Sequence, residues 1–123
     1  DGTAIAELKT AKSILKQFAN ISVPRIKGLY PQKDPAVNAN IITASGALAE
    51  AAEIRSLLIK ALDDKTVVPD ATADLVGKPL RICDIAYNQL VLNLRIKDVL
   101  RTIGTAMTDD VRDYHINILK SKF

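Results

Sequence analysis

Between Asp34 and Leu62 apolar residues return at helical spacing, through Val37, Ile41, Ala44, Leu48, Ala51, Leu58 and Ala61. Asp34 is a good N-cap, and Pro35 occupies the first helical position, where its missing N–H costs nothing. The spacing predicts one helix of roughly 40 Å at about 1.5 Å per residue, stopped by Asp63, Asp64 and Lys65. No other stretch limits the choice of fold so strongly.

Three further stretches share that periodicity. Ile5, Leu8, Ala11, Leu15 and Phe18 mark a first helix over Thr3–Ala19. A turn-rich segment, VVPDATADLVGKP, leaves room for a short helical turn at Ala71–Val76 before a restart at Pro79. From Leu80 to Ile103 apolar residues cover two faces, one with Leu80, Cys83, Tyr87, Leu90 and Leu94, the other with Ile82, Ile85, Leu92, Ile96, Val99 and Ile103. So wide an apolar surface predicts the most enclosed helix, with Gly104 as its C-cap. The last helix starts at Thr108, carries Asp109 and Asp110 in its first turn, and points Val111, Tyr114, Ile118 and Leu119 inward. With no strand alternation to compete, the expectation is a single all-α domain over residues 1–123. It is an up-down-up-down four-helix bundle with two long and two shorter helices. Gly46, within ASGALAEAA, costs about 1 kcal/mol against Ala in mid-helix, so either a neighbour needs its space or the face is small by chance.

Composition agrees with a packed domain: 48% of the 123 residues are hydrophobic and 25% charged. With 4% aromatics and no tryptophan, the core must be built of Leu, Ile, Val and Ala. Apolar runs fall far short of the ~20 residues that span a bilayer. No signal or transit peptide is visible, so an exported or imported protein would be represented here by its mature form. A net charge of +3 permits an acidic partner, while the absence of a dense basic stripe or stacking aromatics argues against nucleic acid. Cys83, the sole cysteine, forms no intramolecular disulfide and reads as a small buried hydrophobe.

Catalytic and cofactor constellations fail in turn. A di-iron bundle needs Glu-x-x-His pairs, and the one histidine, His115, follows Arg112 at that spacing. His115 and Met107 are poorly placed for opposite faces of a haem. A phosphotransfer bundle would expose one histidine in an H-x-L-K-G context; here the segment is DYHINILKSKF, and His115 reads as a surface or partly packed residue. No phosphate loop or nucleophile elbow is present. Asp63–Asp64 and Asp109–Asp110 suit helix ends, and Glu50 and Glu53 a solvated edge. The expectation is a non-enzyme with no cofactor and no metal.

The stretch LAEAAEIRSLLIKAL (Leu48–Leu62) resembles the central helix of the PsbQ family, four-helix extrinsic subunits on the lumenal side of photosystem II. That family carries a pattern close to A-S-Y-L-R-Y-D-L, and Ala51, Ile54, Arg55 and Leu58 stand at matching positions. Leu57 replaces the family's acidic residue and Glu53 an aromatic. In size and architecture the chain looks similar to the diatom-type extrinsic subunit. The resemblance implies a protein of the chloroplast thylakoid lumen, peripheral on the membrane and monomeric when free. It would dock on photosystem II, stabilise the oxygen-evolving manganese–calcium cluster, and help retain calcium and chloride without holding either ion. Docking would be electrostatic and would weaken with salt. The competing function is a soluble helical binding or signalling module, phosphotransfer through His115 being its sharpest form.

With no active site elsewhere, VPRIKGLYPQKDP (Val23–Pro35) becomes the leading candidate for function. Pro24 and Pro31 should hold it extended or turned, presenting Arg25, Lys27 and Lys33. Ile26, Leu29 and Tyr30 can anchor either on the bundle or on a partner, so the segment is a stiff connector or a docking surface. The candidate docking residues are Arg25, Lys27, Tyr30, Lys33, Lys120 and Lys122.

Overall fold

The structure is a computed structural model that describes residues 25, 26, 28–69, 77–94 and 101–123. The expected helix over Thr3–Ala19, the turn at Ala71–Val76 and the candidate residue Lys27 lie outside them. Among the described residues the chain is all-α, with helices α1 (Pro35–Ser45), α2 (Ala52–Ala61), α3 (Ile82–Leu94) and α4 (Asp109–Lys120). The one β-type contact among them is an isolated antiparallel bridge between Val67 and Arg81.

The cap expected at Asp34 is present, its side chain accepting from Ala36 N at 2.9 Å. The single long helix is not. After α1 the chain tightens into a 3-10 turn at Gly46–Leu48, and Ala51 turns extended at φ −69°, ψ 127° before α2 begins. Arg55 reaches back from α2 and donates to the carbonyls of Ala49 (3.3 Å) and Glu50 (2.8 Å), satisfying groups that the break leaves open.

The break reverses the chain. Ala36 and Ala39 of α1 share a groove with Leu80 and Ile85 near the start of α3, whereas Gly46 meets Gln89 and Asn93 further along it. Just beyond the end of α2, the Asp64 carbonyl accepts from Cys83 N at 2.8 Å, again at the start of α3. A rigid rod of roughly 40 Å cannot bring both its ends to one place. The predicted second helix is therefore a helical hairpin, both arms of which pack on α3. Gly46 has the close neighbour its position suggests: a Cβ there would fall 1.9 Å from Gln89 Oε1.

α3 is the central helix, as its composition predicts: Ile82, Cys83, Asp84, Ala86, Tyr87 and Leu90 are all buried. Leu92, expected on an inner face, is 63% exposed. Nor does this helix reach Ile103. Residues 101–104 are not helical, and Asn88 clamps Ile103 by donating to its carbonyl (2.9 Å) and accepting from its N–H (2.6 Å). Gly104 therefore caps no helix, and no described glycine has positive φ.

In α4 the N-cap at Thr108 is as expected, accepting from Val111 N. The buried face is different. Val111 and Tyr114 are 42% and 63% exposed, while Arg112, Ile116 and Leu119 are buried. A buried arginine sets that rotation. The core that results joins Ile42, Ile54, Leu58, Leu62, Ile82, Tyr87, Leu90 and Leu119. No described helix is long and apolar enough to cross a membrane.

Candidate functional site

The candidate docking segment, expected to be extended or turned, is partly helical: Arg25, Ile26, Gly28 and Leu29 have helical backbone. Beyond Leu29 the segment is tied down at several points. Tyr30 donates its hydroxyl to Asp64 Oδ2 at 2.8 Å, across 34 residues of sequence. Gln32 N donates to Asn38 Oδ1 (2.7 Å), and Asn38 Nδ2 returns a bond to Gln32 O (2.9 Å). Asp34 completes the set as the α1 cap. Arg25 and Lys33 remain exposed and make no ion pair among the described residues.

The adjacent carboxylates just beyond α2 hold partners from distant parts of the chain. Asp63 pairs with Lys120, so Tyr30 and Lys120 converge on neighbouring residues. Lys120, expected as a docking cation, is thus neutralised by its own chain. Lys122 is exposed at the end of α4, beyond that pair. The signal for this edge is present as an Asp-Asp dipeptide, but its partners lie too far away in sequence for any spacing rule to name them.

Charge and burial make the Tyr30–Asp64 bond pH-sensitive. Burial, then the Asp64 hydrogen bond and charge, push the Tyr30 phenol above its ordinary value. For Asp64 burial works towards a higher value, but hydrogen bonds from Thr66 and Tyr30 outweigh it and hold the carboxyl below its ordinary range. A lowered carboxyl stabilises the fold above its unfolded value and loses that contribution as pH falls through the folded one. A raised phenol contributes below its unfolded value and loses it on the alkaline side. The bond therefore stabilises from about pH 4 to about pH 10. Tyr30→Phe should cost about 1–2 kcal/mol at neutral pH. Thermal melts across pH should show its gap to the wild type closing as acid protonates Asp64.

A second polar constellation lies inside the protein, where Asp84 and Arg112 are both fully buried. Asp84 Oδ2 accepts from Arg81 N (2.9 Å), Arg81 Nε (3.1 Å) and Arg112 Nη1 (2.9 Å), while Oδ1 accepts from Arg81 Nη2 (2.9 Å). Asp84 is thus the third residue of α3 reaching back to the N–H that precedes it, as in a capping box. Arg112 also donates to the carbonyls of Pro79 (2.9 Å) and Lys78 (2.8 Å), with longer contacts to Gly104 and Thr105. Asp113 adds a carboxylate to Arg81 at 2.9 Å. Bonds from Asp84 and then Asp113 hold the Arg81 guanidinium charged against its burial. Every bond named here joins a cluster donor to a cluster carboxylate or a backbone carbonyl, with Arg112 Nε the one buried guanidinium nitrogen left without a partner among the described residues, so the cluster has the properties of a fastening.

His115 and Cys83 sit beside it. The His115 ring stands 6.3 Å from Tyr87 and 5.6 Å from Tyr114, with Nδ1 buried and without a hydrogen-bond partner among the described residues. Burial first, then the neighbouring Asp84 charge, push the fully buried Cys83 thiol up to about 12, so it is no ready nucleophile at neutral pH. No cluster of three or more His, Cys, Asp or Glu able to hold a metal occurs among the described residues.

Comparison with family models, with characterised proteins and with solved structures finds no match to this chain. The residues that carry the PsbQ-like pattern have visible structural tasks. Ile54 and Leu58 are fully buried, Ala51 forms the bend before α2, and Arg55 closes the hairpin.

Proposed function

We propose that the chain is a non-catalytic docking subunit whose binding edge is the segment around Tyr30. Its partner, on the resemblance of Leu48–Leu62 to the PsbQ family, is the lumenal face of photosystem II. There it stabilises the oxygen-evolving cluster and helps retain calcium and chloride from a peripheral position. The observation that carries the docking edge is its combination of fixed backbone and unpaired charge. Tyr30, Gln32 and Asp34 are each bonded to distant or following residues, while Arg25 and Lys33 project from the same stretch without an ion pair among the described residues. A surface ordered before binding loses less entropy on binding, and exposed cations steer and orient it on an acidic partner.

The test is rebinding to photosystem II membranes stripped of extrinsic proteins. Arg25→Glu combined with Lys33→Glu should weaken rebinding about tenfold or more and reduce the recovery of oxygen evolution. Thermal stability should stay unchanged, since neither side chain is packed. Wild-type rebinding should weaken as salt rises. A charge-reversed chain that rebinds like the wild type overturns the docking edge.

A further inference from the structure

The rotation of α4 that buries Arg112, Ile116 and Leu119 leaves an apolar strip outside: Val111 and Tyr114 are exposed and Ile118 is half-buried. Asp110, Tyr114, Ile118 and Lys122 stand four residues apart, so along a helix they form one ridge. Past the end of α4 the chain keeps coiling, Ser121 N and Lys122 N donating to Asn117 O (3.2 Å) and Leu119 O (3.0 Å), which holds Lys122 in line. The ridge therefore reads acid, aromatic, aliphatic, base. Asp110 is exposed with no ion-pair partner among the described residues, and Lys122 is exposed at the other end. His115 meets the Tyr114 ring edge-on, centroids 5.6 Å apart, so the aromatic is braced before anything binds.

This order is complementary to its own reverse. If a second copy lies antiparallel across α4, Asp110 falls beside the second copy's Lys122, and Lys122 beside its Asp110. Between them Tyr114 meets the second copy's Ile118, and Ile118 its Tyr114. A parallel copy would set Asp110 against Asp110 and Lys122 against Lys122. Ridges of this spacing pack into each other's grooves when two helices cross at about −50°, the commonest class of helix packing. The antiparallel arrangement also sets the acidic first turn of each helix near the basic last turn of the other, with their dipoles opposed. We infer that the outer ridge of α4 is a two-fold self-association surface, its occupant a second copy of this chain. The Tyr114–Ile118 contacts hold that copy, and Asp110 and Lys122 orient it. A central aromatic carries most of the energy in such a contact, while flanking charges set its direction. A 12-residue helix is about 18 Å long. That is too short to bury the roughly 1,200 Å² of a standard interface, so the dimer is weak, with a Kd of order 0.1–1 mM. The inference does not rest on the docking edge around Tyr30, and it departs from the free monomer that the PsbQ resemblance implies.

The test is sedimentation velocity and NMR diffusion on the whole chain at low ionic strength, from about 0.02 to about 2 mM. The wild type should pass from monomer to largely dimer across that range. Tyr114→Ser should weaken association about tenfold and leave the melting temperature in dilute solution unchanged. Asp110→Lys and Lys122→Glu should each weaken association about tenfold alone, since both ends of the dimer then pair like charges. Mixed in equal amounts, the two variants should recover the wild-type affinity, because each end of the mixed pair again joins opposite charges. A change within one chain cannot produce that recovery. A wild type that stays monomeric throughout the range overturns the inference and leaves the ridge to a different partner or to none. So does association untouched by Tyr114→Ser, or a mixture that associates no better than its components. So does a Tyr114→Ser chain that melts lower in dilute solution, because the ridge is then covered within one chain.

Discussion

Asp84→Ala should lower the stability of this protein by about 3–5 kcal/mol, the cost of removing one partner from a buried charge pair. The carboxylate is fully buried and, among the described residues, is the only anion that contacts Arg112. Its loss leaves that guanidinium charged in the interior with no counter-ion, and removes from Arg81 every described carboxylate except Asp113. It also frees the Arg81 N–H that precedes α3. For a domain whose total stability is of order 5–15 kcal/mol, the melting temperature should fall by roughly 10–20 °C. The contrast is with surface pairs such as Lys78–Asp109, 3.8 Å apart with both side chains more than half exposed, where Asp109→Ala should cost no more than about 1 kcal/mol. Calorimetry on the two variants checks both. If Asp84→Ala cost no more than Asp109→Ala, the interior pair would have to be solvated.

These effects also explain which parts of the fold are legible in the sequence. Asp34 before Pro35, and Thr108 before Asp109–Asp110, are local devices whose partners lie two or three residues away, and both helices start where they should. The hairpin within Asp34–Leu62 is hidden, because an Ala-rich stretch is as content in one helix as in two. What accompanies the break lies partly far away in sequence: a Cβ on Gly46 would meet Gln89 and Asn93, and Arg55 supplies donors to the carbonyls of Ala49 and Glu50 at the bend. In α4 the apolar periodicity points Val111 and Tyr114 inward, yet Arg112 is what reaches the core. A buried arginine carries no periodic signal; its acceptors lie at residues 78, 79 and 84, about thirty positions earlier. A clue does exist in Arg81 and Asp84, an acid three residues past the helix-preceding position. The docking segment obeys the same rule. Its cations are visible, whereas the bond that fixes Tyr30 spans 34 residues and has no local trace.

Arg112 separates two explanations of the buried cluster. If it matters only as the counter-ion of Asp84, replacing both charges by apolar side chains should be neutral or even stabilising, as it often is for buried ion pairs. But Arg112 also donates to Pro79 and Lys78 and reaches towards Gly104 and Thr105, tying the segment before α3 to the segment before α4. The two segments already meet closely. Lys78 N donates to Thr105 O at 2.9 Å, and a Cβ on Gly77 would fall 2.7 Å from that same oxygen. An apolar pair in place of Asp84 and Arg112 leaves those carbonyls without their charged donor. The Asp84→Leu, Arg112→Met double variant is therefore expected to stay about 2 kcal/mol or more below the wild type, each lost bond to a charged donor being worth roughly 1.5–3 kcal/mol. Arg112→Lys should fare no better than Arg112→Met at this junction, because one ammonium cannot span Asp84 and two carbonyls in the way a planar fork does. Hydrogen exchange gives the local readout, with the Lys78 amide losing protection in all three variants before the amides of central α3 do. A double variant as stable as the wild type, with the Lys78 amide still protected, would reduce Arg112 to a counter-ion.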